Sequence, residues 1–567
     1  MTAPTVRDTC EAELLTRVLS ALLREDVVGL RSRSTLAHRP DGDWLRLPTT
    51  EDALLLPVVE DGYQCEHRAR LPLLVRESNG SELTSYETVL GALCELAEPV
   101  DRAGFEAFTE ECRQTLDTMR LHARTREEVG QRLLDRYGHD PARWTGLAYD
   151  TLAARIDHPV YPTARGRAGL SEEQLRAYAP EFHPRFALRW LAVPRETVTL
   201  TGALPELWPS PARLGLPEVE RTHVALPVHP LTIGAPLDEA LSTTGLAGRV
   251  LLAEQAHLEV VPTLSMRTVA VAADPSLHLK LPLATATLGL RNKRSIKPGT
   301  LVDGAAGQRL VEAVIAREPR FRGTILHADE TTYAHAGHEL LAVLCRRFPA
   351  GSEESVVVPL AALLAEAPGG RLVLDHLADR FYGGDPLALL DACLSLLFDW
   401  QTTLFGYGIA LESHQQNVSL VLAPGRVRLL FKDNDGPRIN ASRLADVLPG
   451  PWGFDDPRTL TAGDGPVADV FATITVHLCA GAYAFGLAGQ RKALLGIVRD
   501  RLAEAVERLG GDAGAVLRAH VLDAPRLPVK AMVTAGTLLS KERSGAADVN
   551  KYYTSGPNYL LPEGGSV

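Results

Sequence analysis

Residues 412–436 read ESHQQNVSLVLAPGRVRLLFKDNDG, and the rest of the chain is best read outward from them. Apolar runs at 418–422 and 427–432 flank Pro424-Gly425, a pattern that predicts a β-hairpin with its turn at the proline. A loop carrying Glu412, His414, Gln416 and Asn417 leads into the first strand, and the second strand delivers Asp433 and Asp435 beside that loop. Asn and Asp oxygens so placed are the usual means of holding Mg²⁺ against nucleotide phosphates. The plainer alternative is an Asn/Asp-rich turn with one core histidine.

Upstream, residues 386–405 predict a strong helix with Asp385 as N-cap and Pro386 in the first helical position. Downstream, 467–522 read as mostly helical. Within them, 470–490 carry no Lys, Arg, Asp or Glu over a span-like length, but a His, two Thr and three Gly make a buried helix the expectation. Residues 249–290 are the clearest β region, with strands expected at 258–261, 266–273 and 277–287, divided by Pro262 and Asp274-Pro275. Residues 1–155 read as mainly helical. Helices are expected at 11–23 and 126–137, the second stopped by Gly138, with a few strands at 44–66.

A chain of 567 residues exceeds the usual size of one domain about fourfold, so two or three packed units are expected. The net charge of −11 disfavours a broad nucleic-acid-binding face but leaves room for a small cationic pocket. Seven cysteines, at 10, 65, 94, 112, 345, 393 and 479, form no Cys-x-x-Cys pair. That argues against a disulfide framework, a zinc site or an iron–sulfur cluster. The N-terminal residues lack an apolar core, so no signal peptide is expected and a soluble cytoplasmic protein is.

Two further clusters carry chemistry. Ser265, Arg267 and Thr268 enter one strand, Lys280 lies on the next, and Arg291, Lys293, Arg294 and Lys297 follow. Hydroxyls and cations on neighbouring antiparallel strands suit a polyphosphate, which Arg grips in a fork and Lys as a point charge. A solvated strand and loop is the alternative. His158-Pro159 and His229-Pro230 are each held extended by the following proline and could aim imidazoles into a cleft, with Arg165 and Arg167 near the first. No G-x-x-x-x-G-K-[ST] and no G-x-G-x-x-G after a strand occurs, so any nucleotide site uses an uncommon fold.

In order along the chain, these segments resemble the NRPS-independent siderophore synthetases, the aerobactin synthetase group. The family pattern H-P-x-H-P-x-x-K-x-R-x-G followed by Y-A-P-E-F is similar to residues 158–169 and 178–182 here. S-x-R-T matches 265–268, K-L-x-L matches 280–283, an R-T pair becomes Arg294-Ser295, E-x-H-x-Q-N matches 412–417, and R-D becomes Lys432-Asp433. The resemblance covers roughly 155–560. Tyr161 stands where the family has a second His, Arg165 where it has Lys, and Leu231-Thr232 where it has Trp-Gln. The phosphate-binding Arg is either Arg291 or Arg294, and Ser295 favours Arg294.

The resemblance implies an α+β, cupped-hand architecture: a helical thumb (1–155), antiparallel-β fingers (156–380) and a helix-rich palm (381–567), paired into homodimers. It implies an ATP- and Mg²⁺-dependent ligase. Such an enzyme adenylates citrate or a related di- or tricarboxylate and condenses it with an amine, a hydroxylamine-bearing polyamine or an alcohol, for siderophore biosynthesis and iron acquisition. ATP contacts would come from Ser265, Arg267, Thr268, Lys280, Arg294 and His414. Asn417 and Asp433 would hold the metal with Glu412 or Asp435 helping, and His229, Arg267, Lys280 and His414 would be catalytic. Arg165, Arg167 and His158 would hold the acid. Lys530, Lys541 and Lys551 read as surface lysines. A kinase-like phosphotransferase is the rival, although the loop at 412–417 lacks the Asp that a kinase places before its Asn.

Overall fold

The computed structural model describes residues 8–352, 354–545 and 552–562. The expected hairpin forms. Val418–Ala423 and Arg426–Phe431 pair antiparallel, because both strands are apolar and the Pro-Gly pair lets the chain reverse, Gly425 standing at φ 66°. The hairpin lies at the centre of a four-stranded sheet, flanked by Ile325–His327, which runs parallel to it, and by Val356–Pro359. Strands from both sides of residue 380 therefore share one sheet.

A second, nine-stranded sheet holds the other half of the site. At its centre His257–Pro262, Thr268–Val271, Asp274–Lys280 and Ala342–Arg347 run antiparallel in that order, with Asp329–His335 beyond. Two boundaries differ from expectation. Asp274-Pro275 opens a strand instead of dividing two, and that strand ends at Lys280. Residues 281–287 leave the sheet because the backbone folds back on itself, the amides of Leu283 and Arg294 bonding the carbonyls of Arg294 and Thr285.

The N-terminal region is less helical than its sequence suggests. Thr9–Arg24 forms with Asp8 accepting the Cys10 amide, and Arg126–Tyr137 ends at Gly138 as expected. Between them, residues 35–83 make a six-stranded sheet. Ala53–Glu60 is a nearly continuous apolar strand buried along most of its length, a pattern that periodicity alone does not distinguish from a buried helix.

The helix Pro386–Gly406 forms as expected, Asp385 accepting the Leu387 and Ala388 amides, and packs on Arg491–Leu509. It and Gly465–Gly486 are long and apolar enough to cross a membrane, but 61% and 94% of their most apolar windows are buried inside the fold. One large core joins the N-terminal helices, the hairpin sheet and the C-terminal helices, and the nine-stranded sheet has a core of its own. All seven cysteines are free.

A candidate nucleotide and acid site

The site is built around Asp433, the residue that follows the return strand. It stands at φ 61°, in the left-handed region that non-glycine residues seldom enter. Its amide donates to Glu330 Oε1 at 3.0 Å. Its carboxylate Oδ1 takes Lys280 Nζ at 2.5 Å and Arg346 Nη2 at 2.8 Å. Arg346 also donates from Nε to Glu330 Oε1 at 2.5 Å, and both of these side chains are almost wholly buried. Burial opposes the charge on Asp433, but Lys280, Arg346 and Arg267 outweigh it and hold the carboxyl far below the ordinary carboxylate range. Neither Arg346 nor Glu330 belongs to any motif in the sequence. Each was placed here by strand register, Arg346 lying opposite His278.

Lys280 also reaches Asp435 Oδ2, at 3.3 Å, so two carboxylates converge on one ammonium. Helix Pro298–Arg317 presses against this loop so closely that a Cβ at Gly307 would collide with the Asn434 carbonyl. The result is a cavity of about 680 Å³ lined by Arg267, Lys280, Arg291, Glu412, Asp433 and Asp435 among others. It is cationic on the side of the nine-stranded sheet and carboxylate-rich on the side of the hairpin.

The Ser265–Thr268 segment is a tight turn. Met266 stands at φ 62° and Ser265 Oγ accepts the Thr268 amide at 3.1 Å. Arg267 is thereby aimed at the cavity, with one guanidinium nitrogen on the Ser295 carbonyl at 2.7 Å. Thr268 is only 1% exposed and pairs in register with Lys280. Of the two candidate arginines, Arg291 donates to the backbone carbonyls of Ala535 and Thr537 while lining the cavity. Arg294 bonds Thr287 Oγ1 and is pushed down to about 9 by burial and by the charges of Arg267 and Arg167.

At the far side, the loop at 412–417 is tied by Asn417 Nδ2 to the Glu412 carbonyl at 3.2 Å. Lys530, expected on the surface, is instead 6% exposed, with its ammonium 3.5 Å from Glu412. Lys551 lies outside the described residues. His158 and His414 are half-buried near this lysine, and burial pushes them down to about 3 and about 4. Their neutral rings in the fold contrast with an unfolded value near 6.5. Between pH 6.5 and 4 the unfolded chain therefore binds more protons, and stability falls as pH falls. Each such histidine removes up to about 1.4 kcal/mol per pH unit in this window. Urea unfolding at pH 7.5, 6.5 and 5.5 should show the midpoint dropping below 6.5. A flat profile would contradict the assignment of neutral, buried rings.

His229, Arg165 and Arg167, also expected at the site, are engaged by groups outside the cavity. His229 is 0% exposed, its Nδ1 accepts the Leu231 amide at 3.1 Å, and its ring packs edge-on against Tyr178 and Phe186. Arg165 forks onto Asp157 at 2.8 and 3.0 Å, and Arg167 is paired with Glu181 at 2.7 Å. Both arginines, expected to hold the acid, are paired in this fold with internal carboxylates. Tyr161, the departure from the His pattern, is fully buried with its hydroxyl on Glu111 at 3.1 Å.

Oxygen donors for a divalent cation fit at one place. Among the described residues no three His, Cys, Asp or Glu side chains gather as a ready metal cluster. Mg²⁺, however, is commonly held by one or two carboxylates together with substrate phosphates. Asp433 and Asp435 converge where Lys280 now supplies the positive charge. Glu412, expected as a ligand, is engaged with Lys530 instead.

Residues 147–365, which include the Ser265–Thr268 turn and Lys280, match the IucA / IucC family. The chain carries an IucA/IucC family domain. Residues 388–544 match the family described as ferric iron reductase FhuF-like transporter. Within that match Cys393 and Cys479 are both buried and free. The chain is 24% identical to the rhizobactin siderophore biosynthesis protein RhbC of Rhizobium meliloti (strain 1021), covering 91% of this chain and 92% of that protein. Its fold is shared with the petrobactin biosynthesis protein AsbB of Bacillus anthracis str. Sterne, with a TM-score of 0.76, 16% identity and coverage of 97% and 95% of the two chains. The ATP-bound aerobactin synthetase IucA from Klebsiella pneumoniae gives a TM-score of 0.66 at 19% identity, covering 97% of this chain and 99% of that one. The cupped-hand α+β fold implied by the sequence resemblance is therefore the fold observed.

Proposed function

We propose that this chain is a ligase of siderophore biosynthesis that uses ATP and Mg²⁺ to adenylate a carboxylic acid, citrate or a related di- or tricarboxylate, and condenses it with an amine or alcohol. The observation that carries this reading is the division of one cavity between a cationic wall at Arg267, Lys280 and Arg291 and the paired carboxylates Asp433 and Asp435. The ATP-bound fold relative and the siderophore-biosynthesis relative support it.

A carboxylate attacking the α-phosphorus of a triphosphate brings two anions together, so catalysis is chiefly positioning and neutralisation. In this chain Arg267, Lys280 and Arg294 would neutralise the phosphates. Asp433 and Asp435 would hold Mg²⁺, which when bound draws charge off the phosphate oxygens. The carboxylate oxygen bonds phosphorus as the bond to pyrophosphate breaks. A nucleophile then bonds the acyl carbon as AMP departs and the nucleophile's proton is lost. A neutral His414 would take that proton.

The test is the product nucleotide. Purified enzyme with ATP, citrate and a polyamine should release AMP and pyrophosphate in equal amounts. ADP together with a phosphorylated acid or amine would favour the kinase-like reading and overturn this one.

A further inference from the structure

A second cavity, of about 940 Å³, lies beside the first against the same face of the nine-stranded sheet. Ser276 and His278 line it from the strand Asp274–Lys280, whose last residue, two positions along and on the same face, lines the first cavity. The partition between the two is built from the end of the hairpin. Lys432 lines the second cavity and Asp433 the first.

Three buried polar side chains in the second cavity lack partners for an atom or a charge. Lys432 is 8% exposed, and among the described residues no carboxylate comes within ion-pairing distance of its ammonium. Asp150 is 6% exposed with Oδ1 unbonded, and His278 is 4% exposed with Nδ1 unbonded. Because His278 Nε2 points at the Pro275 carbonyl at 3.1 Å, the proton belongs on Nε2 and the bare Nδ1 is an acceptor. Buried groups left in this state are expensive unless something meets them. Trp144, Leu147 and Phe348 supply an apolar part of the lining beside several serines, and the exposed Arg143, Arg185 and Arg347 also border the cavity.

We propose that this cavity is a binding site, separate from the nucleotide cavity, for a small carboxylate that carries an adjacent hydroxyl or amino group on an apolar body. The carboxylate would meet Lys432, the adjacent donor would meet Asp150 Oδ1 or His278 Nδ1, and the apolar body would lie against Trp144, Leu147 and Phe348. The three bordering arginines are each paired with a carboxylate, Arg143 with Asp140, Arg185 with Glu259 and Arg347 with Asp274, so the buried Lys432 is the charge that would select an anion. The proposal does not depend on the ligase reading, because it concerns binding alone.

The test uses three matched probes on the full-length chain by titration calorimetry: 3-phenyllactate, L-phenylalanine and 3-phenylpropionate. At least one of the first two should bind in the presence of saturating ATP, and the third, which lacks the donor, should bind at least tenfold more weakly. Lys432→Met should abolish binding. Ala272→Leu, which fills the cavity from its wall and keeps the lysine, should weaken binding at least tenfold, so a folding defect in the first variant does not decide the matter. Failure of both donor-bearing probes to bind, their displacement by ATP, or binding unchanged in Ala272→Leu would overturn the proposal.

Discussion

Arg267→Ala should abolish acid-dependent exchange of pyrophosphate into ATP while leaving the chain folded. Arg267 is the cation that the Ser265–Thr268 turn aims into the cavity, and its guanidinium donates to the Ser295 carbonyl. Burial lowers its affinity for a proton, while Asp433 and Asp435 pull the other way, so its charge faces the carboxylate wall across the cavity. Loss of one preorganised charge partner from such a site is worth roughly 10²–10³ in rate. Exchange should therefore fall at least a hundredfold, with the unfolding temperature little changed. Arg267→Lys should recover only part of the loss, since a point charge does not replace a planar fork. Exchange near the wild-type rate in Arg267→Ala would remove this residue from the phosphate site.

Asp433→Asn should be the most destabilising single change at the site. Asparagine tolerates the left-handed backbone that this position adopts, so the change removes charge and little else. Lys280 and Arg346, 5% and 2% exposed, would then face a neutral amide. Removing one partner from a buried ion pair leaves an uncompensated charge and costs about 3–5 kcal/mol. Urea unfolding should show a loss of that order, and exchange activity should vanish with it. Adding Lys280→Met should restore part of the stability and none of the activity, since the second variant removes the stranded charge. A variant as stable as the wild type would mean that Asp433 does not organise this cluster.

Some of this was legible in the sequence. The hairpin could be read because two apolar runs bracket Pro424-Gly425, and the helix after Asp385-Pro386 because capping is a local rule. The order of short motifs anticipated the family match and the fold. What was hidden depends on partners distant in the chain. Arg346 and Glu330 meet Asp433 across 87 and 103 residues, and no local spacing announces them. Arg165 and Arg167 read as anion ligands because their separations of 8 and 14 residues from Asp157 and Glu181 follow no helical or strand period that would pair them. Lys530 looked like a surface lysine because nothing nearby in sequence shows that Glu412 waits for it. The sheet at 35–83 was under-read because an unbroken apolar strand has no alternation to reveal it.

The most direct test of the chemistry follows oxygen. Citrate labelled with ¹⁸O in its carboxylates, incubated with enzyme, ATP, Mg²⁺ and an accepting amine, should place one ¹⁸O in the phosphate of AMP, because the carboxylate oxygen that bonds the α-phosphorus leaves with it. Unlabelled AMP, or label recovered in inorganic phosphate beside ADP, would contradict adenylation at this site.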